Sequence, residues 1–240
     1  MKSDLYFERI SAASIELSET YFEKRLNSKT LFKACKTKGT KNGKHFEAIE
    51  FESIPSKQEL YSKKVYNFFF ERIKELMYSQ YVIPEKILVA GIGNPYLTVD
   101  SFGSAVIDKI KSSDKIMTFK PLTSGITGID SYSVLKGLIL TAKPDILIAI
   151  DTLKTGSVEK IGKSIQLTDD GIQAGSGVGK VNKKLSEESL GIPVIALGVP
   201  LLSAYKVDFG CYGEGVTCAK CDALIQTFSC FLGEILTKIF

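Results

Sequence analysis

Asp100 and Asp151 are the carboxylates whose placement invites chemistry. Asp100 follows the apolar run Ile87–Ala90 and the glycine-rich turn Gly91-Ile-Gly93-Asn94, and it stands at the mouth of an expected helix beginning Ser101-Phe-Gly103. Asp151 closes Asp145-Ile-Leu-Ile-Ala-Ile-Asp151, a run whose interior is wholly apolar. Open α/β sheets gather ligands outside the carboxyl ends of their strands, so two acids delivered there form a candidate site. Like charges in a partly buried cleft raise each other's cost. Such a pair can share a proton, one member acting as base on a water and the other as acid. The same oxygens could instead hold a divalent cation. Each acid also has a structural reading: Asp100 as a helix N-cap and Asp151 as a hydrogen-bonded strand end.

The remaining motifs narrow the choice. The chain has one histidine, His45, and no tryptophan. A Ser-His-Asp or Cys-His catalyst would have to recruit that residue, and multi-histidine zinc sites are excluded. Gly91-Ile-Gly93 falls short of a dinucleotide fingerprint, because Tyr96 stands where the third glycine belongs. The loop Gly171 to Lys180 fails the phosphate-loop spacing: Ala174 occupies the first glycine position and Val181 follows the lysine. A mobile loop, or a row of backbone donors for an extended peptide or an oxyanion, fits it better. Cys218 and Cys221 form one metal-like pair, with Cys211 and Cys230 nearby. A four-cysteine zinc site shows two tight pairs, so core or incidental thiols are expected, with a metal or redox site as the alternative. Asp169-Asp170 reads as a turn.

The elements that must position these groups follow from pattern. Across 240 residues, 44% are hydrophobic and 24% charged, enough for a substantial core in one α/β unit. A net charge of +4 does not call for nucleic acid, and Lys33 to Lys44 reads as a solvated loop. Residues 1–32 have a weakly helical pattern. His45 to Ile54 alternates like a half-exposed strand. Leu60, Val65, Phe68, Phe69, Ile73, Leu76 and Met77 line one face of a helix that ends before Pro84. From residue 86 buried strands alternate with helices: strands at 86–90, 115–119, 146–150, 164–167 and 193–198, and helices at 102–111, 130–142, 157–161 and 222–240. That order predicts a three-layer α/β/α sandwich with a mainly parallel, mixed sheet. The expected organisation is an extension, residues 1–85, packed on an α/β domain, residues 86–240, as one structural unit. No secretory signal or membrane span is visible, which with an odd cysteine count points to a cytoplasmic chain with reduced thiols.

Five blocks in order resemble the spore germination protease family, which degrades small acid-soluble spore proteins. They are Gly91-Ile-Gly-Asn with Thr98-Val-Asp100-Ser-Phe-Gly; Thr123 to Asp130; Lys143 to Asp151; Ile165 to Gly179; and Gly191 to Pro200. The resemblance spans roughly residues 86–204, with a fainter likeness at Ser3 to Glu8. It implies an endopeptidase of unusual aspartic type on a fold like that of hydrogenase maturation proteases. The implied catalytic pair maps onto Asp100 and Asp151. It also implies small acid-soluble spore proteins as substrate, a homo-oligomer, a spore-core location, no cofactor, no nucleic acid and no membrane partner. Asn94, Ser124, Gly125, Ser176 and Gly177 are the candidate substrate-binding residues, on the turn and loops that would form a groove. The chain departs from the family in three ways: Ser3 to Glu8 resembles the start of the processed enzyme, leaving an expected absence of propeptide; Gln173 stands where a histidine is expected; and the segment after Val207 has no counterpart. Two rivals remain. A hydrogenase-maturation-like endopeptidase would use a metal and a histidine, and no histidine follows residue 45. A non-catalytic relative would bind spore proteins and keep both aspartates as caps.

Overall fold

A computed structural model describes residues 18–26, 29–38, 44–78, 83–174, 183–203 and 217–239. Eight strands form one sheet: β1 (Ser18–Leu26), β2 (Lys29–Lys38), β3 (His45–Phe51), β4 (Ile87–Gly91), β5 (Ile116–Phe119), β6 (Ile146–Thr155), β7 (Ser164–Thr168) and β8 (Val194–Ser203). Their spatial order is β1-β2-β3-β7-β8-β6-β4-β5. From β8 through β6 and β4 to β5 the pairing is parallel; from β1 to β8 through β2, β3 and β7 it is antiparallel. The sheet is therefore mixed, and the two aspartates belong to its parallel half.

Among the described residues seven α-helices accompany it: α1 (Lys57–Leu60), α2 (Lys63–Tyr78), α3 (Phe102–Ile107), α4 (Ser124–Thr127), α5 (Ser131–Ala142), α6 (Glu187–Leu190) and α7 (Cys221–Ile239). Strand side chains alternate between faces, and the core divides accordingly. Ile87, Val89, Ile146, Ile148, Ile150, Ile195 and Leu197 pack with residues of α2, α3 and α7. Leu88, Ala90, Leu147, Ala149 and Val194 pack with Leu135 and Ile139 of α5 and Leu190 of α6. Helices on both faces make the expected α/β/α sandwich.

Local chemistry explains the larger helices. Ser56 and Glu59 form a reciprocal capping box that starts α1. α2 then buries Val65, Phe68, Phe69, Ile73, Leu76 and Met77 at helical spacing. α7 buries Leu224, Ile225, Phe228, Phe231, Leu232, Ile235 and Leu236 on one stripe, and Phe69 meets Phe231 edge to face at 5.9 Å. Glu47 of β3 is fully buried between sheet and α2. Arg72 of α2 grips its carboxylate with two donors, at 2.6 and 2.5 Å, and also contacts Glu75. The buried charge is thus neutralised and bidentate.

Four expectations need correction. Residues 18–26 and 29–38 are strands, paired from Ser18↔Thr37 to Leu26↔Lys29, where the sequence pattern suggested a helix up to residue 32. The reason is tertiary: β3 supplies an edge, and β2 pairs along its whole length from Phe32↔Phe51 to Lys38↔His45. Helical propensity in so charged a segment is too weak to compete with that template. For the same reason Lys33 to Lys38 belong to β2 rather than to a loop. Residues 157–161 contain only a short 3-10 turn, Val158–Lys160, and α3 is shorter than the expected 102–111.

Candidate active site

β4 lies between β5 and β6. The chain leaves β4 through α3, on one face, to reach β5; it leaves β5 through α5, on the other face, to reach β6 on β4's opposite side. The β4–β6 boundary is therefore a topological switch point, where the connections diverge and a crevice opens outside the strand ends. Asp100 comes from the loop that leaves β4, and Asp151 from β6.

Three glycines bring the Asp100 loop down onto this boundary. At Gly91 a Cβ would lie 2.3 Å from the Gly103 carbonyl oxygen, and at Gly103 it would lie 2.4 Å from the carbonyl oxygens of both Ile150 and Ile92. The first residues of α3 thus rest directly on the ends of β4 and β6. Gly93 has φ +113°, and a Cβ there would lie 2.1 Å from the Asp100 carbonyl oxygen; only glycine permits that backbone and that approach. The Ile92 N–H donates to the Ile150 carbonyl at 2.7 Å, so the loop stays bonded to β6 up to the residue before Asp151.

Asp100 ends a 3-10 turn, Thr98–Asp100, and the N-cap of α3 is Ser101. The Asp100 carboxylate accepts the Asn94 N–H at 2.8 Å, so it closes its own loop instead of capping the helix. Asn94 in turn accepts the Tyr96 N–H at 2.9 Å through its side-chain oxygen. Burial pushes the Asp100 carboxyl above its ordinary value, and the Asn94 N–H only partly offsets this.

Asp151 is 6% exposed. The expected strand end is only half correct. β4 stops pairing at Gly91↔Ile150, but β6 runs on beside β8 from Asp151↔Gly198 to Thr155↔Ser203. Asp151 therefore sits inside a strand, at the point where one neighbour has ended. The Thr152 N–H donates to its carboxylate at 2.8 Å. By alternation its side chain belongs to the face of Leu147 and Ala149.

Of the other candidates, Asn94 is bonded to Asp100 as described. Ser124 and Gly125 lie in α4, after β5, at the same carboxyl edge but beyond β4. Ser176 and Gly177 lie outside the described residues, as do Cys211 and most of the 171–180 loop. Sequence reasoning missed two features. Asp151 and Gln166 both pair with Gly198, where a Cβ would collide with the Leu153 side chain at 2.5 Å; a lone glycine in an apolar strand was the available signal. His45 is bonded to Asp169, N–H to carboxylate at 2.6 Å and ring Nδ1 at 2.9 Å. Those partners are 124 positions apart, which no local pattern reveals. Among the described residues no group of three or more His, Cys, Asp or Glu is placed to hold a metal ion, and no helix is long and apolar enough to cross a membrane.

The sequence is similar to those of known proteins. A family model described as "Germination protease" matches residues 24–207. Germination proteases of Bacillus cereus (strain AH187), Bacillus anthracis (strain CDC 684 / NRRL 3495) and Bacillus mycoides (strain KBAB4) are each 34% identical over 183 residues, which is 70% of this chain and 50% of each relative. The chain spans about half the length of these relatives. Among solved structures, a [NiFe] hydrogenase maturation protease, HycI from Thermococcus kodakarensis KOD1, aligns over 67% of this chain and 98% of its own, at 18% identity and a TM-score of 0.44.

Proposed function

The chain belongs to the germination protease family, and from that premise we propose that it is an endopeptidase using Asp100 and Asp151 as a carboxylate pair. The observation that carries the reading is their origin on the two strands that flank a topological switch point. Peptide hydrolysis by two carboxyl groups needs one charged and one protonated at the same pH. Asp100 suits the protonated role, because its burial favours the neutral form. Asp151 then acts as the base. It takes a proton from water as the oxygen attacks the peptide carbonyl, and Asp100 passes its proton to the departing amine nitrogen.

The rim supports an extended peptide as substrate. Tyr96 and Leu97 after β4, and Ile126 and Ile129 after β5, are exposed on the loops of this edge, offering apolar contact to a substrate side chain. Asn94, Ser124 and Gly125 are proposed to line this groove, and Ser176 and Gly177, outside the described residues, are kept as substrate-binding candidates on the sequence resemblance alone. The substrates proposed are small acid-soluble spore proteins, disordered chains whose backbone can be read by such a groove. We assign the protein to the cytoplasm of the spore and to a homo-oligomer. Residues 1–85 and 86–240 are read as one unit, since β3 pairs with β7.

The test is incubation of the purified chain with a small acid-soluble spore protein, beside Asp100→Asn and Asp151→Asn, with and without EDTA. Cleavage by the parent and a loss of at least ~10³-fold in each variant is the expected result, the size of effect seen when a group central to catalysis is removed. No cleavage by the parent, or equal cleavage by all three, removes the pair from the mechanism. Inhibition by EDTA transfers the two carboxylates to a metal.

A further inference from the structure

Cys218 and Cys221 occupy the entry to α7 in an arrangement the proposed hydrolysis does not use. The Cys221 N–H donates to the Cys218 carbonyl at 3.1 Å, so the two cysteines are the first and last residues of one turn. That bond brings their Cα atoms within about 7 Å, and a disulfide needs roughly 4.4–6.8 Å. The turn is held at both ends. The Thr217 hydroxyl donates to the Leu201 carbonyl of β8 at 2.7 Å, and the Leu224 N–H donates to the Lys220 carbonyl at 3.0 Å. We propose that Cys218 and Cys221 are a vicinal dithiol that closes reversibly to a disulfide by exchange with small-molecule disulfides.

The two thiols are unequal. Cys218 is half-buried and Cys221 is buried. Desolvation pushes the Cys221 thiol up, a hydrogen bond with Thr217 partly offsets this, and nearby Cys218 adds a smaller upward push, so Cys221 is the less reactive thiol while Cys218 meets solvent. The sequence of steps follows. The Cys218 thiolate attacks one sulfur of a small disulfide; that S–S bond breaks, and one thiol leaves carrying the proton Cys218 gave up. Cys221 then loses its proton and attacks the Cys218 sulfur of the mixed disulfide, releasing the second thiol. Two protein thiols are oxidised and one external disulfide is reduced to two thiols.

Among the described residues the other pairings are geometrically poor. Cys230 lies nine positions along α7 from Cys221, ~13 Å at 1.5 Å per residue. Cys35 is on β2, three strands from β8, ~14 Å across the sheet. Two thiolates supply half of a tetrahedral zinc set, and no third ligand joins them among the described residues.

The experiment takes the reduced full chain, adds oxidised glutathione, and maps the product by peptide mass spectrometry. The expected product has lost two hydrogens, with the bond between Cys218 and Cys221, and dithiothreitol restores it. In Cys221→Ser a mixed glutathione disulfide should accumulate on Cys218. In Cys218→Ser, Cys221 should react at least ~10-fold more slowly than Cys218 does, as a buried, protonated thiol must. The parent map stands whether or not the variants fold. Absence of the bond, pairing of either cysteine with Cys211, or equal reactivity of the two variants overturns the proposal. Protection of the dithiol by stoichiometric zinc overturns it in favour of a thiolate metal centre. None of these readouts depends on peptide cleavage.

Discussion

Replacing Gly103 by alanine should lift Asp100 away from the edge where β4 and β6 meet. The new Cβ would lie 2.4 Å from the carbonyl oxygens of Ile150 and Ile92 and 2.6 Å from the Ile92 nitrogen. All three are backbone atoms, two of them joined in the Ile92–Ile150 hydrogen bond, so no side chain can swing away. Ordinary contact begins at 3.4 Å, and the start of α3 must therefore retreat by about 1 Å. Overpacking of this kind costs about 1–3 kcal/mol, or a fall in Tm of roughly 2–12 °C at ~2–4 °C per kcal/mol for a chain of this size. Asp100 is three residues upstream and moves with α3. A displacement of ~1 Å at a catalytic group costs on the order of 100-fold in rate. Gly137→Ala is the matched control: it lies in α5 with nothing within 4 Å of its Cβ position, and should gain about 0.5–1 kcal/mol. Thermal unfolding and cleavage of a spore-protein substrate would be measured on both. A Gly103→Ala protein with parental Tm and parental rate would refute the claim that this contact sets the Asp100 position.

Three further outcomes are expected. Asp100→Asn should be more stable than the parent at neutral pH while losing activity, because asparagine keeps an acceptor for the Asn94 N–H without the cost, raised by burial, of keeping a charge there or taking up a proton on folding. The folded-state value of Asp100 is raised, so the parent loses stability as pH rises from the ordinary aspartate value through the folded one. The variant's advantage should thus vanish at about pH 3 and be full at about pH 8 in urea titrations, each tenfold in proton affinity being worth about 1.4 kcal/mol; an advantage independent of pH would count against the assignment. Arg72→Ala should destabilise by about 3–5 kcal/mol, since it removes two guanidinium donors from the buried Glu47 carboxylate, and Arg72→Ala combined with Glu47→Leu should recover most of that loss in chemical denaturation. Gly93→Ala should lower activity more than ~10-fold, because it combines a strained φ with a collision on the Asp100 backbone; unchanged kcat/KM would show that the turn tolerates it.

Much of the parallel half was legible in sequence because its signals are local. Ile87–Ala90 and Ile146–Ile150 are apolar on both faces, as strands covered by two layers must be. Gly91, Gly93 and Gly103 mark the close approach of backbone to backbone, and both aspartates stand beside such segments. Asp130, expected at the start of a helix, caps α5 through the Ser133 N–H at 3.0 Å. What lay beyond reach depended on partners distant in sequence. Residues 18–38 became strands because β3 offered an edge to pair with. Asp151 lies inside a strand because β8 continues beside it after β4 has ended, a fact about a neighbour almost fifty residues away. Asp100 proved to close a loop through Asn94, where its position alone favoured a helix cap. Residue type and spacing determined which groups could react and which fold could hold them. Only the packed sheet decided which strands meet at the crevice and how far each acid is desolvated there, because hydrogen-bond register and burial are properties of neighbours in space.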